Sequence, residues 1–218
     1  MSMSIFTKLD AYYFISIIMV TVFLLLNTTF PSLGLTYAVI LVVLCILLYG
    51  SVKCNNGKML LKDLWIMAIL STILYPFVDS IFAGQLVWVS YTTDNPKLLF
   101  TPIYVILYWV YAVLLFGYSY LRLSYFLKTK WIASCLTGAF AAVGATFFEN
   151  LFNEAQFYQN TVSQPMIMHI PLYVSLGWGV TFALLPLFMK KRYLTGFMLY
   201  LYIGISWLAF HYVLQFLV

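Results

Sequence analysis

The chain has 218 residues, of which 64% are hydrophobic, 20% aromatic and only 8% charged. A soluble domain of average make-up is about 45–50% apolar and about 25% charged, so these proportions exclude a soluble enzyme, a disordered chain and a disulfide scaffold. The formal charge of +5 sits in short basic runs between apolar segments, which is a topology signal and not a nucleic-acid patch.

A bilayer core about 30 Å thick takes about 20 apolar residues as helix. In chain order, seven segments meet that length: Ala11–Phe30, Leu35–Val52, Leu64–Trp88, Pro102–Phe126, Trp131–Phe157, Met166–Met189 and Tyr193–Val218. The reading is an all-α bundle of seven transmembrane helices forming one integral membrane domain over residues 1–218. A transmembrane barrel would show short alternating segments instead. The first segment is too long for a signal peptide and no small-residue cleavage site follows it. The longest non-apolar stretches are Ser90–Thr101 and Tyr158–Pro165. No internal repeat is evident.

Lysine and arginine orient the bundle. With seven spans, ten of the eleven basic residues fall on the side of the N-terminus, and Lys97 alone falls on the other. The asymmetry predicts a cytoplasmic N-terminus and an outside C-terminus.

Ionisable groups inside a span are costly and point to function. Asp10 and Asp63 are read at cytoplasmic helix starts, where the helix dipole accommodates them, and Asp94 in a solvated loop. The unusual groups are Asp79, Glu149, His169 and His211. At 1.5 Å per residue, Asp79 lies roughly 25 Å beyond Lys62, Glu149 roughly 28 Å beyond Lys130, and His211 roughly 28 Å beyond Arg192. His169 lies roughly 31 Å before Lys190. Four ionisable side chains from four spans therefore share one depth, in the outer part of the membrane. Glu154 falls near the interface.

Helical phase sharpens this cluster. Thr146, Glu149, Asn153 and Gln156 fall on one face of span five, widened by Asn150 and Glu154. Below them Ser134, Gly138, Ala142 and Ala145 form a small-residue seam for close helix packing. In span three Tyr75 and Asp79 are four residues apart, and Pro76 frees the carbonyl of Thr72. In span six His169 and Tyr173 have the same spacing. In span seven Tyr200, Gly204, Trp207, His211 and Gln215 share a stripe. Span four carries Tyr104, Tyr108, Tyr111 and Tyr118, which either pack and belt the membrane or face a cationic centre.

The cluster suggests acid–base chemistry on a lipid-soluble substrate. An acid in apolar surroundings can hold its proton near neutrality and deliver it to an alkene or epoxide, while aromatic walls and a second carboxylate stabilise the cation that forms. Glu149 is read as the acid, Asp79 as the second carboxylate or base, and His169 or His211 as an orienting or relaying group. Tyr75, Tyr104, Tyr108, Tyr111, Asn150, Asn153, Tyr173 and Trp207 are the candidate substrate contacts. The expected partners are the bilayer and a lipophilic small molecule, with no nucleic acid.

A compact bundle of about seven spans with two intramembrane carboxylates, Asp79 and Glu149, and abundant aromatics resembles the integral-membrane terpene cyclases and the membrane carotenoid cyclases and hydratases. The resemblance implies a polyprenoid substrate and catalysis by buried acids.

Two other readings remain open. His169, His211 and one carboxylate would make a His₂-carboxylate zinc set of a membrane hydrolase, although no HxxxH spacing is present. The polar cluster would also suit a carrier or a membrane-assembly protein, with span six, carrying Pro171, Gly177, Gly179 and Pro186, as its mobile helix. Cys45, Cys54 and Cys135 show no CxxC or Cys/His spacing. No cofactor or metal is expected in the favoured reading.

Overall fold

A computed structural model describes residues 3–29, 32–54, 59–91, 95–151, 156–158 and 165–189, together with 204–205, 208–209 and 212–213. Six helices run through it: α1 (Met3–Thr29), α2 (Leu33–Cys54), α3 (Met59–Ser80), α4 (Ile103–Leu127), α5 (Lys130–Leu151) and α6 (Leu172–Phe188). Among the described residues, five helices are long and apolar enough to cross a membrane, α3 with the turn that extends it, and α6 is a shorter apolar helix. Of the seventh segment, Tyr193–Val218, only short pieces are described, in which Gly204 packs on Val78, and Leu208 on the cluster around Phe82 and Trp88.

Helix α4 is the centre of the bundle. Every residue from Trp109 to Tyr118 is buried, as expected of a helix that is apolar on all sides. Helices α2, α3, α5 and α6 pack around it. The outer helices turn apolar residues outward instead: Phe14, Ile18 and Leu25 on α1, and Phe140, Val143 and Phe147 on α5, are exposed. Continuous apolar faces of this kind need an apolar surrounding.

Close approach between helices uses small residues. A methyl group on Gly138 would lie 2.5 Å from the Gly179 carbonyl oxygen and 2.7 Å from the Ala183 Cβ. The seam read from the sequence of span five is thus the α5–α6 contact. Gly117 makes the same allowance for Leu64 between α4 and α3.

Several boundaries differ from the sequence reading. Helix α1 begins at Met3, so Asp10 lies inside a helix and not at its start. There it accepts hydrogen bonds from the Tyr118 hydroxyl (2.6 Å) and the Arg122 guanidinium (2.7 Å) of α4. Helix α3 continues through Pro76 and then widens into a π-helical turn, Ile81–Gln85. Span five ends at Leu151, and Gln156–Tyr158 is a strand, so Gln156 does not share a helical face with Glu149. The first six residues of span six form a hairpin, so His169 and Tyr173 do not sit on one helix.

These non-helical pieces make a cap over one end of the bundle. β1 (Val89–Tyr91) pairs antiparallel with β4 (Gln156–Tyr158). β2 (Lys97–Leu98) pairs with β3 (Thr101–Pro102), and β5 (Met166–Ile167) with β6 (Ile170–Pro171). Each hairpin leads straight into a helix through a proline whose fixed φ suits the entry: Pro102 into α4 and Pro171 into α6. The order helix, strand, hairpin, helix in residues 59–127 recurs in residues 130–189, a repetition the sequence reading did not anticipate.

Candidate functional site

Beneath the cap lies a cavity of about 90 Å3 lined by Asp79, Glu149 and a wall of aromatic side chains. Several waters would fit in that volume. On α4 the lining extends from Tyr104 to Leu115 and Phe116, so the cavity reaches roughly 17 Å down the bundle.

Asp79 is buried and stands two residues before the π-helical turn. π-Turns occur frequently at functional sites because they re-aim the helix end. Its carboxylate gathers three hydroxyl donors from three elements. Oδ1 accepts from Tyr75 on α3 (3.3 Å) and from Tyr91 on β1 (2.9 Å), and Oδ2 accepts from Thr101 on β3 (2.6 Å). A buried carboxylate needs partners of this kind. The i, i+4 spacing revealed Tyr75. Nothing in the sequence pointed to Tyr91 or Thr101, because the cap brings them to Asp79 through a strand pairing and a tight turn.

Glu149 is half-buried near the C-terminal end of α5 and lines the same cavity. It stands within electrostatic reach of two tyrosines, Tyr104 of α4 and Tyr173 of α6. The two carboxylates expected at one depth therefore border one space, and Tyr75, Tyr104, Tyr108, Tyr111 and Tyr173 line it with them. Tyr118 lies at the opposite end of α4, bonded to Asp10.

Other expected contacts are placed differently. Asn150 is a structural tie: its amide donates to the Thr146 carbonyl (2.7 Å) and the Ile167 carbonyl (3.4 Å), and its Oδ1 accepts from the His169 backbone N–H (2.8 Å). His169 sits on the exposed turn that Asn150 holds. It is absent from the cavity lining. Asn153, Glu154, Trp207 and His211 lie outside the described residues. Among the described residues, no three His, Cys, Asp or Glu side chains are grouped to hold a metal ion.

The sequence reading named Trp207 among the substrate contacts but not Trp88, Trp109 or Trp178. Trp88, Trp109 and Trp178 all line the cavity. Trp109 and Trp178 stack nearly parallel, with ring centroids 4.4 Å apart, and Trp178 also stacks on Phe182. Their signal was weak because tryptophan in an apolar span reads equally well as packing.

No curated protein and no solved structure matches the chain. Residues 77–218 match a family model, and that stretch includes Asp79, Glu149, the cap and every cavity residue on α4, α5 and α6. The chain therefore belongs to the family described as a domain of unknown function (DUF6989).

Proposed function

We propose that the protein is a multi-pass membrane enzyme that carries out acid–base chemistry on a terpenoid or another lipid-soluble substrate: cyclisation, hydration or isomerisation. In this reading α6 and the segment 193–218 complete a seven-span bundle. The N-terminus is cytoplasmic, and the cap and cavity lie toward the outside. The basic-residue asymmetry supports that orientation.

One observation carries the reading. Two carboxyl groups, Asp79 and Glu149, border a single cavity whose wall is otherwise largely aromatic. Glu149 delivers a proton to an alkene carbon or an epoxide oxygen. Positive charge develops on carbon, and the faces of Trp109, Trp178 and the neighbouring tyrosines stabilise it. The cation loses a proton at once, or first closes on a second double bond or takes up water; in each case the proton finally returns to the Glu149 carboxylate, which leaves a neutral product and restores the acid. The resemblance to membrane terpene cyclases and carotenoid hydratases implies the same division between an acid and an aromatic wall.

The test is mass spectrometry of lipids that co-purify with the wild type and with Glu149→Gln. A polyprenoid enriched in the variant, with its cyclised or hydrated product in the wild type, is the expected result. The same molecule, unmodified in both, overturns catalysis in favour of binding or transport.

A further inference from the structure

The two halves of the cavity wall correspond at four pairs of positions: Tyr75 and Ala145, Asp79 and Glu149, Tyr104 and Tyr173, and Trp109 and Trp178. Helices α3 and α5 are both 22 residues long. The buried face of α3 includes Met67, Ala68, Ser71, Tyr75 and Asp79. Seventy residues on, α5 offers Thr137, Gly138, Ala141, Ala145 and Glu149, and the first four are buried. Tyr75 with Asp79, and Ala145 with Glu149, are the α3 and α5 pairs that face the cavity.

The hairpins and the helices after them correspond at a spacing of 69 residues. Leu99 and Met168, at the hairpin turns, both adopt a left-handed backbone, with φ of 59° and 56°. Side chains other than glycine rarely adopt that conformation, so its recurrence is specific. The Ile103 N–H bonds the Pro96 carbonyl at 3.0 Å, and the Leu172 N–H bonds the Pro165 carbonyl at 2.8 Å. Pro102 has φ −61° and ψ 141°, and Pro171 has φ −65° and ψ 142°. Tyr104 and Tyr173 follow at the same spacing, then Trp109 and Trp178.

The contacts between the halves have two-fold form. In β1 and β4, Ser90 faces Phe157, while Val89 faces Tyr158 and Tyr91 faces Gln156. β1 and β4 hold the same place in the two units, and Val89 faces Tyr158, the residue 69 positions on. Trp109 and Trp178, the equivalent tryptophans, stack on one another at 8° from parallel. Both units run helix, cap, helix in the same sense, as in repeats related by an axis along the membrane normal.

We propose that residues 59–127 and 130–189 are two copies of one unit, and that the equivalent carboxylates Asp79 and Glu149 flank the axis and have divided their roles. Asp79 is a positioning residue that latches the cap to α3. Glu149 is the carboxyl group that meets the ligand. This second assignment rests on the acid–base reading given above; the first does not.

The division follows from what differs between the copies. Of the three hydroxyls that hold Asp79, those of Tyr75 and Thr101 have Ala145 and Ile170 at the equivalent positions of the second unit, and neither of these carries a hydroxyl. In the second unit Asn150 ties the hairpin through the Ile167 carbonyl and the His169 N–H. A neutral amide thus serves as a latch there. An amide can serve at position 79 as well: its oxygen accepts from Tyr75 and Tyr91 while its NH₂ donates to the Thr101 oxygen.

The test compares Asp79→Asn, Asp79→Leu and Glu149→Gln in lipid nanodiscs. Hydrogen exchange is read at the backbone amides of residues 89–91 and 97–101, and binding is read with geranylgeraniol, a C20 isoprenoid alcohol. Asp79→Asn and Glu149→Gln are expected to keep cap exchange within threefold of the wild type. Asp79→Leu is expected to speed it at least tenfold and to weaken geranylgeraniol binding at least tenfold. Should Asp79→Leu not fold, Thr101→Val serves in its place, with faster exchange in residues 97–101 and an unchanged bundle. The latch is overturned if Asp79→Asn exposes the cap as fully as Asp79→Leu, or if neither Asp79→Leu nor Thr101→Val exposes it. The division is overturned if Glu149→Gln loosens the cap too. If the cap behaves as expected while the wild type turns over no lipid, the acid–base reading falls and the latch stands.

Discussion

Trp109 and Trp178 stack face to face at the heart of the bundle, 4.4 Å between ring centroids and 8° from parallel. One belongs to the central helix α4 and the other to α6, so the stack joins the two halves that border the cavity. Trp178 also stacks on Phe182 and meets Phe116 edge-on. Truncating a packed tryptophan to alanine costs about 3–5 kcal/mol. Trp178→Ala is therefore expected to lower stability by about 3 kcal/mol, and Trp178→Phe, which keeps a ring, by less. Reversible unfolding in mixed micelles measures both. Equal stability of wild type and Trp178→Ala would show that the stack does not hold the halves together.

The α5–α6 contact depends on the absence of a side chain at Gly138, where the Gly179 carbonyl and Ala183 leave no room for a methyl group. Gly138→Val should push the helices apart, at a cost of about 1–3 kcal/mol or more for an overpacked interface. Gly34→Ala is the control, because nothing lies within 4 Å of a methyl group there. The same unfolding assay should separate the two variants.

At the end of the bundle away from the cap, Arg122 and Asp10 form an ion pair of 2.7 Å between α4 and α1. The pair is partly exposed, and the arginine also lies over the Phe126 ring at 4.3 Å. A double-mutant cycle with Asp10→Asn and Arg122→Gln should give a coupling energy of about 1 kcal/mol, the upper range for exposed pairs. A coupling that vanishes would assign the contact to packing alone.

Asn150 holds the second hairpin by its backbone. Asn150→Leu removes both ties while keeping a similar volume, and each lost hydrogen bond is worth about 1 kcal/mol. Faster hydrogen exchange at the amides of residues 166–170, with α6 unchanged, is the expected outcome. If His169 kept its protection, the tie would be incidental.

Much of the helical framework was legible in the sequence. Long apolar runs marked the five helices that can span a membrane, because each must satisfy its own backbone hydrogen bonds in an apolar solvent. The small-residue seam around Gly138 and the pairing of Tyr75 with Asp79 were legible too, since both follow helical spacing. The cap was not. Its strands are two or three residues long, too short for any alternation to register, and hydropathy absorbed Gln156, Phe157 and Met166–Pro171 into the neighbouring spans. Asp10 was misread for a related reason: the charged and polar residues before Ala11 masked a helix that starts at Met3.

The internal repetition escaped detection because it is carried by few identities. Pro96, Pro102, Tyr104, Val105, Leu107 and Trp109 recur as Pro165, Pro171, Tyr173, Val174, Leu176 and Trp178, so the identities cluster in one short stretch of each unit. Composition and periodicity determined that this is a helical, apolar chain with carboxyl groups buried near one end of its helices, because burial of apolar surface is a local and additive property of sequence. Which hydroxyls meet Asp79, that Glu149 stands between Tyr104 and Tyr173, and that Asn150 ties a hairpin instead of lining the cavity were decided only by the tertiary structure. Those contacts join residues up to 45 positions apart, and hydrogen bonds depend on angstrom-scale placement that no one-dimensional pattern records.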